Sequence, residues 1–268
     1  MRSPKEILLV PKLIWLSAGV PRDRQKAWDG YWGRVQRTGR SGDVLWDAQG
    51  DEEAESHLGL LREHWNPALP VVDVGCGNGT QSRALARVFG PVVGVDFSPH
   101  AVERARSESG GAAGTDFRVL DATAPGAFDP LAAELGPANV FVRGVLHVLD
   151  ARARRRLARN LLSLTAGGGR VFLAETDFKD GPLGYVLHLG ATLTWLPAPL
   201  EKAIRGLPMP GRFGRRECSS AFPGASWTVV ADGATTIEAV PMRRTGVAAP
   251  QAATERIPGY FAVLEPRS

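Results

Sequence analysis

Val71-Val72-Asp73-Val74-Gly75-Cys76-Gly77-Asn78-Gly79-Thr80 is the stretch that decides the fold of this chain. Three valines around Asp73 read as a short buried strand. The strand runs into a turn with glycine at every second position, and a helical pattern follows from Thr80 to Val88. Glycine in such a turn tolerates positive φ and lets backbone approach a ligand with no Cβ in the way. The start of the following helix adds unpaired amide donors at the same point.

Downstream, the strand-and-helix rhythm continues. Val92-Val93-Gly94-Val95 is a second strand, and Ser98-Pro99 is a well-formed helix start, an N-cap followed by proline at the first helical position. Further strands are expected over Phe117–Leu120, Asn139–Val142 and Gly169–Ala174, with a helix capped by Asp150 between the last two. Trp227–Val230, continuing toward Val240, and Tyr260–Leu264 complete seven. This alternation predicts an α/β fold with a Rossmann-like, mostly parallel seven-stranded sheet and helices on both faces. Its ligand belongs at the carboxyl ends of the strands.

Two acids sharpen the ligand. Asp96 ends the second strand, about twenty residues past Gly75, where a carboxylate accepts both hydroxyls of a ribose. Asp121 follows the third strand, where a carboxylate can accept the exocyclic amine of adenine. Amides, a ribose acceptor and an adenine partner form the inventory for an adenosyl ligand without a pyrophosphate. A nicotinamide dinucleotide fits less well: that fingerprint is G-x-G-x-x-G, the third glycine here comes one residue early at Gly79, and Asp121 would have no role.

From Val71 to about Leu149 the chain resembles the class I S-adenosylmethionine-dependent methyltransferases. The D-x-G-x-G-x-G pattern of that family is matched by Asp73, Gly75, Gly77 and Gly79, its ribose acid by Asp96, and its adenine acid by Asp121, with Ala122 offering its backbone amide to the ring. Val145-Leu146-His147-Val148-Leu149 is similar to the small-molecule branch, in which a leucine-histidine pair follows the fourth strand. The resemblance implies S-adenosylmethionine as cofactor, S-adenosylhomocysteine as product, and methyl transfer to a small molecule. Cys76, Asn78, Phe97, Trp46 and Arg143 are expected to complete the cofactor shell.

Outside the sheet, residues 1–66 carry Trp15, Trp28, Trp32, Trp46 and Trp65 and read as a helical cap on a methyltransferase domain spanning 67–268. A helix is expected from Glu52 to about Asn66, where Pro67 stops it. The segment from about 178 to 216 breaks the rhythm and reads as a lid, with an apolar helix over Tyr185–Trp195, then Pro197, Pro199, Pro208 and Pro210, then Arg212-Phe213-Gly214-Arg215-Arg216. The apolar stretch Ile7–Leu16 is interrupted by Pro11 and Lys12 and falls short of the ~20 apolar residues a membrane span needs. An amphipathic helix or packing arm fits it better.

Composition sets the outer bounds. The chain has 268 residues, 44% hydrophobic and 22% charged, which suits one elaborated globular domain. Its net charge of +4 comes mostly from arginine, since only five of 32 basic residues are lysines. The densest run, Arg152 to Arg159, leads into Leu157, Leu161 and Leu164 at helical spacing, the pattern of a helix with one solvated face. Cys76 and Cys218 lie in no C-x-x-C or Cys/His cluster, so neither a structural metal nor a disulfide framework is expected, and a reduced, cytoplasmic setting follows. A monomer or a homodimer is compatible with all of this.

For the chemistry, His147 sits just beyond the fourth strand, where sulfur and acceptor should meet, and imidazole is the side chain suited to take a proton near neutral pH. Packing beside the cofactor is the alternative role. Arg143 can orient an anionic acceptor or form a structural ion pair, and His188 and Glu175 are secondary candidates. Trp28, Tyr31, Trp32 and Trp46, with Tyr185, Leu187, Leu189 and Trp195, suggest apolar pocket walls and a hydrophobic or polycyclic acceptor, methylated on oxygen or carbon. Methylation of an exocyclic base amine is disfavoured because Val142-Arg143-Gly144-Val145 lacks the Asp/Asn-Pro-Pro-Tyr/Phe turn those enzymes carry. A cyclase-like protein that binds S-adenosylmethionine without transferring its methyl group remains the alternative of a different class.

Overall fold

In the computed structural model of the protein, residues 8–48, 51–111, 113–242 and 254–267 are described. Three helices come first: α1 (Leu9–Ser17), α2 (Arg24–Trp32) and α3 (Asp51–His64). The alternating core follows as β1 (Val71–Val74), α4 (Thr80–Ala86), β2 (Val92–Asp96), α5 (Pro99–Ser109), β3 (Thr115–Val119), α6 (Asp129–Leu135), β4 (Asn139–Arg143), α7 (Ala151–Thr165) and β5 (Val171–Thr176). Then come α8 (Gly181–His188), α9 (Ala198–Gly206), α10 (Arg215–Ala221) and the long strands β6 (Trp227–Ala239) and β7 (Glu255–Pro266).

The sheet order is β3-β2-β1-β4-β5-β7-β6. The first five strands are parallel; β7 runs antiparallel to both β5 and β6. Strand order reverses between β1 and β4, and the crevice at that switch point is where such sheets bind ligands. Every residue of β1, β2 and β5 is buried, as expected of parallel strands covered on both faces.

Side-chain alternation divides the core. Val72, Val74, Val140 and Val142 face the layer formed by Leu157, Leu161 and Leu164 of α7 with Phe222 and Trp227. Val71, Phe141 and Phe172 face Leu61, Trp65 and the α8–α9 layer. Phe141 and Phe172 stack at 5.4 Å, and each such ring contributes about 1.5–3 kcal/mol on burial.

The helix starts conform to the sequence: Ser98 Oγ accepts from Ala101 N at 3.2 Å and Asp150 Oδ1 from Ala153 N at 2.8 Å. The apolar run over Tyr185–Trp195 does not. Its helix begins earlier and ends at His188, because Gly190 takes φ +83° and its amide bonds back to Leu187 O. α6 was not expected, although Asp129-Pro130 and Gly136 bracket it with the usual start and stop residues. Helix α1 covers the N-terminal apolar stretch, whose Ile7 lies outside the described residues; Leu9 and Leu16 are buried while Ile14 and Trp15 are exposed. Among the described residues no helix is long and apolar enough to cross a membrane.

Candidate functional site

At the carboxyl edge of β1 the chain turns through Gly75 (φ +77°) and Gly77 (φ +55°). Both glycines are required for space as well as conformation. A Cβ on Gly75 would stand 2.3 Å from Val145 Cγ2, and one on Gly77 would stand 2.9 Å from the Trp32 ring. The turn is pinned from below and from the side. Ser82 Oγ donates to Asp73 Oδ2 at 2.5 Å, and Asn78 Nδ2 donates to Asp47 Oδ2 at 2.8 Å and to Glu108 Oε2 at 3.1 Å. Burial pushes the Asp73 carboxyl up to about 7, with the Ser82 hydroxyl pulling the other way.

A cleft of about 740 Å³ extends from this turn, lined by Gly75, Gly77, Asp96, Phe97, Asp121 and Ala122 among others. Asp96 accepts from Gly77 N at 3.1 Å and Ser98 N at 2.9 Å; burial nevertheless pushes its carboxyl up to about 6. Asp121 accepts from Thr123 N at 2.9 Å and from Gln25 Nε2 at 2.9 Å. A smaller cavity of about 410 Å³ surrounds Asp47, Asp73, Cys76, Asn78 and Thr80. Burial pushes the Cys76 thiol well up, so it is no nucleophile.

A second cavity of about 740 Å³, almost wholly apolar, lies beside the first. Tyr185 and Val186 of α8, Leu200, Ala203 and Ile204 of α9, and Ile237 and Ile257 of the β6–β7 pair form its walls. Of the apolar side chains expected from the lid, only Tyr185 lines it; Leu187, Leu189 and Trp195 do not. Trp28, Trp46, Arg143, Gly144 and Val148 face both cavities, so this is the wall across which two ligands would meet. Trp46 packs at 5.3 Å from Trp28 and stacks on Tyr31 at 5.5 Å.

His147 lines the apolar cavity, with its Nδ1 2.7 Å from Glu175 Oε2. Glu175 is fully buried and also accepts from the backbone amides of Val145, Leu146 and His147 at 2.8–3.1 Å. Arg143 spends its donors within the protein: Nη2 reaches Glu53 Oε2 at 2.8 Å, Nη1 reaches Trp46 O at 3.2 Å, and Nε pairs with Glu53 Oε1. His188 lies apart, its Nε2 against Arg256 O at 2.7 Å.

Asp73, Gly75, Cys76, Gly77, Asn78, Asp96, Phe97, Asp121, Ala122, Arg143 and Trp46 thus line the two polar spaces at one edge, with His147 next door. Gly79 lines neither, its φ of +76° starting α4 where a Cβ would stand 2.7 Å from the Phe117 ring. A match to a methyltransferase domain family covers residues 71–169. The chain carries a class I S-adenosylmethionine-dependent methyltransferase domain. A S-adenosylmethionine-dependent methyltransferase from Anabaena variabilis superposes with TM-score 0.76 at 27% identity, covering 93% of this chain and 97% of that one. The ubiquinone biosynthesis O-methyltransferase of Xanthomonas campestris is 33% identical over 144 residues, 49% of this chain and 56% of its own length. The 2-methyl-6-phytyl-1,4-hydroquinone methyltransferase of Synechocystis is 33% identical over 120 residues, 42% of this chain and 34% of its own. This chain spans about half the length or less of these two relatives.

The methyltransferase domain fits its cofactor on structural grounds. Besides the glycine cradle, two buried donors that line the cleft, Trp28 Nε1 and Arg24 Nε, have no hydrogen-bond partner among the described residues. Both come from α2, as does Gln25 beside Asp121, and sequence reading had placed neither Arg24 nor Gln25 in the site. Asp47 and Glu53 were also missed, because their partners Asn78 and Arg143 lie 31 and 90 residues away.

Proposed function

We propose that this chain transfers a methyl group from S-adenosylmethionine to a hydroxyl of an apolar, aromatic small molecule. The observation that carries the reading is the His147 ring at the wall of the apolar cavity, its Nδ1 fixed by Glu175 at 2.7 Å. With Nδ1 turned to a carboxylate, Nε2 is the nitrogen left to accept a proton from the acceptor hydroxyl.

The bound cofactor supplies an electrophilic methyl on sulfonium. Asp96 is placed to accept the ribose hydroxyls, Asp121 and the Ala122 amide to hold the adenine ring, and the Gly75–Gly79 turn with Asp47 and Asn78 to surround the amino-acid end. Trp28 and Trp46 set the acceptor ring against the cofactor and, with α8 and α9, exclude water, so alignment supplies most of the rate. Arg143, tied to Glu53, positions the Trp46 carbonyl and is a structural element of that wall. An apolar cavity whose polar lining, Trp and Tyr rings aside, is confined to the Arg143, His147 and Thr176 side chains suits an apolar small molecule better than an extruded base. The hydroquinone in the name of the Synechocystis relative is an aromatic, apolar molecule of the kind such a lining favours.

The test is calorimetry with S-adenosylmethionine and S-adenosylhomocysteine, followed by incubation with a panel of hydrophobic phenols. Saturable binding and S-adenosylhomocysteine accumulating with a phenol are expected. Binding without turnover over the panel would favour the non-transferring, cyclase-like reading.

A further inference from the structure

Beside the two cavities runs an open groove of about 980 Å³ between the start of α2 and the start of α7. It shares Val148 and Pro208 with the apolar cavity and Arg24, Thr123 and Val148 with the cofactor cleft, so the three spaces adjoin. Its basic lining is Arg24, Arg152 and Arg156.

The arginines are only partly compensated: the Ala153 amide, and with it the charges of Arg24 and Arg152, hold the Asp150 carboxyl below its ordinary value. Arg152 and Arg156, one helical turn apart on the exposed face of α7, form no salt bridge among the described residues, and like charges at that spacing repel. Arg24 offers a buried Nε with no hydrogen-bond partner among the described residues and a long 3.4 Å contact from Nη2 to Thr123 Oγ1. The two acids in the groove are engaged as helix caps: Asp23 Oδ1 accepts from Lys26 N at 3.0 Å and Asp150 Oδ1 from Ala153 N at 2.8 Å. A solvated face explains Arg155 and Arg159 of α7, which are exposed and do not line the groove. It does not explain why two guanidinium groups without a salt bridge among the described residues, and a third with an unpartnered buried Nε, line a groove that adjoins an apolar cavity.

We propose that this groove seats an anionic group, a carboxylate or a phosphate, at the far end of the acceptor, with Arg24, Arg152 and Arg156 as its counter-charges. The inference rests on the acceptor reading above. It makes the substrate an elongated amphiphile: the reacting ring lies at His147, the apolar body passes Val148 and Pro208, and the charged end emerges between α2 and α7. Guanidinium forks suit both carboxylate and phosphate oxygens.

The experiment uses the full chain saturated with S-adenosylhomocysteine and phenols carrying an alkyl chain of six to twelve carbons. The chain ends in a carboxylate, a phosphate or a neutral amide, and binding is followed by tryptophan fluorescence. The carboxylate or phosphate probe is expected to bind about tenfold more tightly than the amide, given at most about fivefold from each exposed pair. Whichever anion binds better names the end group. In Arg152→Gln/Arg156→Gln that preference should shrink below about threefold with the amide affinity unchanged, whereas Arg155→Gln/Arg159→Gln should keep it. Equal binding of anionic and neutral probes would overturn the proposal, as would an equal loss of preference in the two double variants. Should no probe bind while S-adenosylhomocysteine does, the acceptor cavity itself would be misassigned and the groove with it. Calorimetry of S-adenosylhomocysteine on each variant separates these outcomes from misfolding.

Discussion

His147 Nδ1 and Glu175 Oε2 stand 2.7 Å apart, and the same buried carboxylate closes the 3₁₀ turn Leu146–Val148 by accepting three backbone amides. One side chain thus fixes both the turn and the ring that projects from it. His147→Gln should lower kcat by roughly 10²–10⁴-fold, the range for a lost general base, with S-adenosylhomocysteine affinity nearly unchanged. Glu175→Gln should also lower kcat and cost about 1–3 kcal/mol of stability, since its amide turns a donor toward backbone donors. If His147→Gln turns over at the wild-type rate, the ring merely packs beside the cofactor.

A pH dependence of cofactor binding follows from Asp96, which burial pushes up to about 6. A carboxylate accepts both ribose hydroxyls; the protonated acid does so poorly. Affinity for S-adenosylhomocysteine should therefore fall as pH drops through about 6, and Asp96→Asn should bind weakly with no inflection there. The effect on the free protein has the opposite sign. The folded form holds this proton more tightly than the unfolded chain, whose carboxylate titrates near 3.9, so Asp96 lowers stability as pH rises from about 4 to above 6. Asp96→Asn turns its amide donor toward one of the two backbone amides that Asp96 accepts and should be the less stable at pH 4, but in thermal melts without ligand the gap to wild type should narrow as pH rises through that window.

What the sequence made legible follows from the range of the interactions involved. The glycine turn, Asp96 and Asp121 sit within a few residues of strand ends that announce themselves by valine runs, so local pattern was enough to place them. The Tyr185–Trp195 run misled because apolar composition outweighed Gly190, a stop signal present in the sequence. Gln25 against Asp121, Asp47 against Asn78 and Glu53 against Arg143 bridge 96, 31 and 90 residues. No periodicity records such pairings; they arise only when α2, α3 and their connecting loop fold over the sheet edge.

The Glu53–Arg143 pair is the most exposed to test of these long-range links, because it is buried. Burial opposes the charge on Glu53, yet the Arg143 guanidinium holds its carboxyl below the ordinary value. Glu53→Ala would leave a buried guanidinium without its counter-ion and should cost about 3–5 kcal/mol. At about 2–4 °C per kcal/mol for a chain approaching this size, the melting temperature should fall clearly. Glu53→Met/Arg143→Met should recover much of the loss, because replacing both charges by apolar groups avoids the desolvation cost. Failure of the double variant to recover would mean that the hydrogen bonds lost with the two side chains, from Arg143 to Trp46 O at 3.2 Å and Glu238 O at 3.4 Å and from Glu238 N to Glu53 Oε2 at 2.6 Å, outweigh the ion pair in holding this edge together.

Gly75 tests the cofactor turn itself. Its φ of +77° costs a non-glycine residue about 1–2 kcal/mol, and an added Cβ would stand 2.3 Å from Val145 Cγ2. Gly75→Ala should therefore carry two separable penalties, one conformational and one steric, the second about 1–3 kcal/mol as for other overpacked sites. Val145→Ala removes the offending methyl, so in a double-mutant cycle the pair should show a favourable coupling of at least about 0.5 kcal/mol by chemical denaturation. The conformational penalty should persist in the double variant, along with weakened S-adenosylhomocysteine binding, because the αL geometry sets the course of the Gly75–Gly77 backbone that lines the cleft. Additive losses would show that the turn relaxes away from Val145, and that its geometry is set by the Asn78–Asp47 side rather than by close packing against the turn after β4.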